Sequence, residues 1–246
     1  MDHLLSIASI LATAGSLLAN QAAPIAYTPG STGHDISFPQ CGGAYPAGAF
    51  GIVGVNGGYP FVHYNPCLAD EYAHTPKAAL YINTGYDPLY TQVDGRHTIP
   101  ECRTSSAVIK GSADQRAAWA VGCSEASRSM AFAASQGVTK PGGWWLDVET
   151  ENNWSSTDLS LNQYTIQGIV DTFYRTSSVA VGIYSTGYQW GKITGGLPVS
   201  GVKANWVATG SLSAEGARAG CGTGFSGAPV WLVQYILGGF DTNYVC

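Results

Sequence analysis

The chain has 246 residues, 45% of them hydrophobic and 32 of them glycine, enough to bury one substantial core. Only 11% are charged, against roughly 25% in an ordinary soluble domain, and serine, threonine, glycine and aromatics take the surface positions instead. The net charge of −5 and the absence of any lysine or arginine cluster exclude a nucleic-acid partner and attachment to an acidic membrane surface.

The first segment, "LLSIASILATAGSLLA" (Leu4 to Ala19), is uncharged and too short to span a bilayer comfortably. Small residues follow it from Ala19 to Ala23. This pattern predicts a secretory signal peptide over residues 1–23, although Asp2 and His3 stand where a positive charge is usual. A secreted protein with no membrane segment after cleavage is the expectation. The remainder, 24–246, shows no linker, repeat or low-complexity stretch and reads as a single domain.

Six cysteines form no CxxC and no Cys/His ligand pattern. An even count in an exported chain favours three disulfides over a metal site. Six cysteines allow 15 connectivities; the simplest uncrossed scheme joins Cys41 with Cys67, Cys102 with Cys123, and Cys221 with Cys246.

Short apolar runs bounded by glycine and proline predict strands at 34–38, 51–56, 78–83, 143–149, 179–185, 204–209 and 230–235. Their apolar content is nearly continuous, as in strands covered on both faces. Helices are predicted between them, at 112–137 with Ser112 as N-cap and Gly137 as the stop, and at 160–175. The stretch from Asp87 to Lys110 reads as a long loop. Strand and helix alternation argues for a parallel α/β sheet. Seven or eight strands without a glycine-rich nucleotide loop favour a TIM-like (β/α) barrel over an open sheet.

Against this background the stretch "GGWWLDVETE" (Gly142 to Glu151) places two carboxylates beside tryptophans. In a strand, Trp145, Asp147 and Glu149 share one face while Trp144, Leu146 and Val148 share the other. The first set would point into the barrel, with both acids at the C-terminal end, where barrel enzymes build their sites. Two residues of strand put the carboxyls roughly 6 to 7 Å apart or somewhat less. That range straddles the separations of retaining and inverting glycosidases and so does not set the stereochemistry. Like charges at such range raise one pKa and keep an acid protonated near neutral pH. Asp35 lies in the first strand and Asp241 just after the last, so closure would bring these two acids together. The five histidines are scattered, with only His34 near this site. No Gly-x-Ser-x-Gly elbow is present, which argues against a serine triad. Asn153-Trp154-Ser155 is a glycosylation sequon.

Five segments in order, "GHDISFPQCG", "WWLDVETENNWS", "AVGIYSTGYQW", "NWVAT" and "VWLVQYILGGFDTNYVC", resemble glycoside hydrolase family 25, the lysozyme or N,O-diacetylmuramidase family. The resemblance implies a modified (β/α) barrel that uses no metal and no cofactor. It also implies cleavage of β-1,4 bonds in an N-acetylated amino-sugar polysaccharide, with peptidoglycan as the first candidate. Glu149 would be the general acid/base. Asp147 would either attack the anomeric carbon or orient the substrate's acetamido group, and Asp35 and Asp241 would complete the acidic cluster. Tyr81, Tyr184, Trp206, Gln234 and Asn243 would contact the sugar. The protein is expected to act as a monomer.

The chain departs from the family at the second strand, where "GVNGGYPF" carries Gly54 and Gly57 in place of charged residues. The third strand keeps only Tyr81 of the usual aromatic signature, and the loop from 86 to 111 is long. The same mechanism on another extracellular glycan, or a non-catalytic carbohydrate-binding barrel, are the alternatives.

Overall fold

The computed structural model describes residues 27–246 apart from 59, 61–62, 87–97, 178 and 223. The expected leader lies outside the described residues. Eight strands close into a barrel in the order β1 to β8: Thr32–Ile36, Gly51–Gly54, Ala79–Asn83, Trp144–Asp147, Val181–Ser185, Ala204–Ser211, Val230–Leu237 and Phe240–Val245. The helices are α1 (Leu68–His74), α2 (Pro100–Ser106), α3 (Ala113–Ser135), α4 (Leu159–Thr176), α5 (Gly187–Thr194) and α6 (Ala214–Arg218).

The barrel is parallel from β1 to β7, but β8 is antiparallel to both β7 and β1. The expectation of a wholly parallel sheet is corrected there. β8 returns from β7 through a two-residue hairpin, Gly238-Gly239, with φ of 61° and 83°. Two consecutive positive φ values are what the favoured hairpin turn needs, and glycine supplies them without a Cβ clash. Asp241 therefore sits inside β8, not after the last strand.

The two faces of β4 divide as the alternation requires. Trp144, Leu146 and Val148 pack outward with Ile166, Ile169 and Phe173 of α4, and the Trp144 and Phe173 rings stack at 4.4 Å. Trp145 points inward and meets Trp206 edge-on at 5.7 Å, with Ile52, Ala79, Ala204 and Leu232 around them. These rings fill the barrel, so its interior is a packed floor and only the mouth is open. Room for Trp145 comes from Gly182 of β5, where a Cβ would lie 2.2 Å from the indole.

α3 and α4 begin at capped ends. Ser112 accepts from the Gln115 amide in a capping box, and the Asp158 side chain accepts from Ser160. α2 falls inside the stretch expected to be a loop, which corrects that reading. Pro100 opens the helix and Cys102 ties it to Cys123 of α3. All three disulfides join sequence neighbours, Cys41–Cys67, Cys102–Cys123 and Cys221–Cys246. Among the described residues no helix is long and apolar enough to cross a membrane.

Candidate active site

A pocket of about 140 Å³ opens at the C-terminal mouth, lined by Asp35, Tyr81, Asp147, Glu149, Tyr184, Trp206, Gln234 and Asp241. Seven strands converge on it. β1, β3, β4, β5, β6, β7 and β8 each supply one side chain, and Glu149 follows two residues beyond the end of β4. Register sets their level: Asp147 pairs with Tyr184, which pairs with Trp206.

Asp35 is held from two sides. Asn243 Nδ2 donates to its Oδ1 at 2.6 Å, and Gln234 Nε2 donates to its two oxygens at 3.2 and 3.1 Å. Tyr184 hydroxyl donates to Gln234 Oε1 at 2.7 Å, which fixes the amide so that its nitrogen faces the acid. Trp206 Nε1 donates to Asn243 Oδ1 at 2.7 Å, fixing that amide likewise. Burial and the nearby Asp241 carboxylate still outweigh these donors and push Asp35 up to about 7.

Asn243 is fully buried and lies beneath the pocket rather than on its wall. Asn243, expected to contact the sugar, has Asp35 and Trp206 as its partners. Tyr81, Tyr184, Trp206 and Gln234 do line the pocket, although Trp206 is only 2% exposed.

The turn after β4 is clamped at its carbonyls. Thr84 donates to Asp147 O through its amide (3.0 Å) and hydroxyl (2.6 Å), Ser185 Oγ to Val148 O at 2.7 Å, and Trp154 Nε1 to Glu149 O at 2.7 Å. The Asp147 and Glu149 carboxyls face the same pocket and are close enough to couple electrostatically. Burial raises both pKa values. Asp147 stands well above the usual carboxylate range because burial disfavours its charge and Glu149, Asp35 and Glu151 add theirs. Glu149 is raised chiefly by burial, with Glu151 and Asp241 adding to it, and Gln189 and the bond with Asp147 acting against. Asp241 is raised by burial as well.

No basic side chain answers these charges. Among the described residues the one ion pair is His74 with Asp70 on α1, and no pocket-lining side chain is basic. Nor do the described residues hold a cluster of three or more His, Cys, Asp or Glu arranged for a metal. Near neutral pH such a set of acids retains protons, so it can serve as a proton donor and can stabilise positive charge.

Gln189 and Trp154, which meet Glu149, are not marked by the sequence patterns. Both lie in segments that carry the family resemblance, but their bonds run through Oε1 and a carbonyl that only the folded turn brings near.

A closed β/α barrel with one antiparallel strand and an acid-lined mouth free of basic side chains is the class of protein that these observations define. The family model described as Lysozyme-like protein 1 matches residues 122–210, from mid-α3 to β6. No curated protein matches the chain by sequence. Among solved structures, the muramidase from Trichobolus zukalii superposes with a TM-score of 0.53 at 17% identity, covering 87% of this chain and 93% of that one. A family GH25 lysozyme from Aspergillus fumigatus gives 0.53 at 15%, covering 88% and 93%. A muramidase from Acremonium alcalophilum gives 0.50 at 18%, covering 87% and 93%. The chain shares the fold of these enzymes over nearly all of its described length.

Proposed function

We propose that the protein is a secreted glycosidase that cleaves β-1,4 bonds of an N-acetylated amino-sugar polysaccharide, with peptidoglycan as its substrate. The observation that carries this reading is the convergence of Asp35, Asp147, Glu149 and Asp241 on one pocket without a basic side chain. The fold shared with muramidases and the match to a lysozyme-like family support it.

Asp147 closes β4 and Glu149 follows two residues later, so the two carboxyls enter the pocket from the same strand. Both therefore act from one side, and the nucleophile is supplied by the substrate. Asp147 lines the pocket and offers a carboxyl acceptor for the substrate's acetamido N–H. Taking up that bond favours the Asp147 carboxylate, while Glu149 holds the proton to be donated. Glu149 then protonates the glycosidic oxygen as its bond to the anomeric carbon breaks. The acetamido carbonyl oxygen closes on that carbon to give an oxazolinium ion. In the second half Glu149 takes a proton from water, which attacks the same carbon and restores the acetamido group, with net retention. Asp35 and Asp241 surround the developing positive charge with carboxyls. Tyr81, Tyr184 and Trp206 form the apolar wall against which a sugar can rest.

The test is digestion of a glycan panel that includes peptidoglycan, chitin and cellulose, with products read by mass spectrometry and the first-formed anomer by NMR. Release of fragments with retained configuration from an N-acetylated polymer is expected. An inverted product, or cleavage of cellulose in preference, would overturn the reading.

A further inference from the structure

Gln189 is the third residue of α5, and its amide nitrogen is capped by the Thr186 hydroxyl at 3.1 Å. Its side-chain oxygen accepts from the Thr150 amide at 2.5 Å and from Thr150 Oγ1 at 3.0 Å. Because the Thr150 backbone amide can only donate, the side-chain amide takes one orientation, with Nε2 turned away from it. Nε2 then lies 3.4 Å from Glu149 Oε1. One side chain on a neighbouring helix thus grips the turn after β4 through the residue following Glu149 while donating to the Glu149 carboxyl itself.

We infer that Gln189 is a positioning residue for the acid/base step: its oxygen is locked by Thr150 so that its nitrogen aims the Glu149 carboxyl into the pocket and favours its ionised form. This inference rests on the glycosidase reading of the same site.

Of the charges that face Glu149, Glu151 from its own turn and Asp241 from β8 work the other way, Asp147 acts in the same sense as Gln189, and the Tyr184 hydroxyl adds a neutral neighbour from β5. Within this acidic set Gln189 is the neutral donor that opposes the effect of burial on Glu149. An acid that must give up a proton and later take one from water needs its two forms to be of similar energy. Without the Gln189 donor, the protonated form dominates and the return of the proton from water becomes the slow step.

The test uses the whole protein with Gln189→Met, which keeps the length of the side chain and removes the donor, and Gln189→Glu, which keeps its shape and adds an acid. The chain has six glutamates, so carboxyl-labelled glutamate gives a tractable carbon NMR titration. The Glu149 midpoint is expected to rise by about half a pH unit or more in Gln189→Met, and further in Gln189→Glu. The basic limb of kcat for soluble peptidoglycan fragments should move up with it, while KM stays within about twofold. An unmoved Glu149 midpoint in a folded variant overturns the inference even if activity falls. Failure of the underlying reading shows differently, as a wild-type protein that cleaves no glycan whatever the Glu149 midpoint does.

Discussion

Replacing Asp35 with asparagine tests the electrostatics of the pocket in a way that needs no substrate. In the folded protein Asp35 is raised from 3.8 to about 7. Between those values the folded state binds more protons than the unfolded chain, so stability falls as pH rises. The stabilising, protonated form is fully present below about pH 4 and is lost by about pH 7. Every tenfold gain in proton affinity corresponds to about 1.4 kcal/mol, which bounds the cost of ionising Asp35 at about 4 kcal/mol. Asp35 keeps some contact with solvent at the pocket, which lowers the figure to about 2 to 4 kcal/mol. Asparagine keeps an acceptor for Asn243 but sets an amide nitrogen where Gln234 now donates at 3.1 Å, a fixed loss of about 1 kcal/mol. The variant should therefore be slightly less stable than wild type at pH 4 and more stable by about 1 to 3 kcal/mol at pH 8. Urea denaturation across that range measures the difference directly. A wild-type minus variant difference that does not change with pH would refute the reasoning.

The other carboxyls of the pocket are raised too, so the wild-type protein should be most stable on the acid side and lose stability as pH rises above the ordinary carboxylate range, about 4. Thermal melts across that range check the sign. Gly182→Val should lower stability by about 2 kcal/mol or more, because its Cβ would meet Trp145 at 2.2 Å and the indole is enclosed on all sides. Denaturant midpoints read that loss. Trp206→Phe strips the donor from the buried Asn243 oxygen and should cost about 1 to 3 kcal/mol, with a fall in kcat as Asp35 loosens. Removing Cys102–Cys123 by paired serine substitutions should cost about 2 to 4 kcal/mol in stability while leaving kcat unchanged, since the bond joins α2 to α3 and touches no pocket residue.

Much of this architecture is legible in the amino-acid order. Continuous apolar runs mark seven strands because each is covered on both faces, and the alternation in "WWLDVE" separates the helix-facing side chains from those in the barrel. β8 is not marked in that way. "FDTNYV" mixes Asp241, Thr242 and Asn243 into its run because one face lines an acidic site. Its true signal is the Gly238-Gly239 pair between two extended runs. The burial of Asn243 is not legible because alternation reports the face of a strand and not the depth along it. β8 runs downward, so Asn243 lies deeper than Asp241. Gln189 leaves no mark in the sequence, since its partners are a backbone amide and a carboxyl brought near only by folding.

The role of Glu149 can be separated from every general effect on binding or folding by comparing two substrates. Glu149→Gln should lose about 10²-fold or more on a polysaccharide, whose leaving alcohol needs a proton. On an aryl β-glycoside of N-acetylglucosamine with an acidic phenol, which departs unprotonated, the first half-reaction should be nearly as fast as in wild type. An equal loss on both substrates, or undiminished cleavage of the polysaccharide, would contradict the assignment of Glu149 as the proton donor.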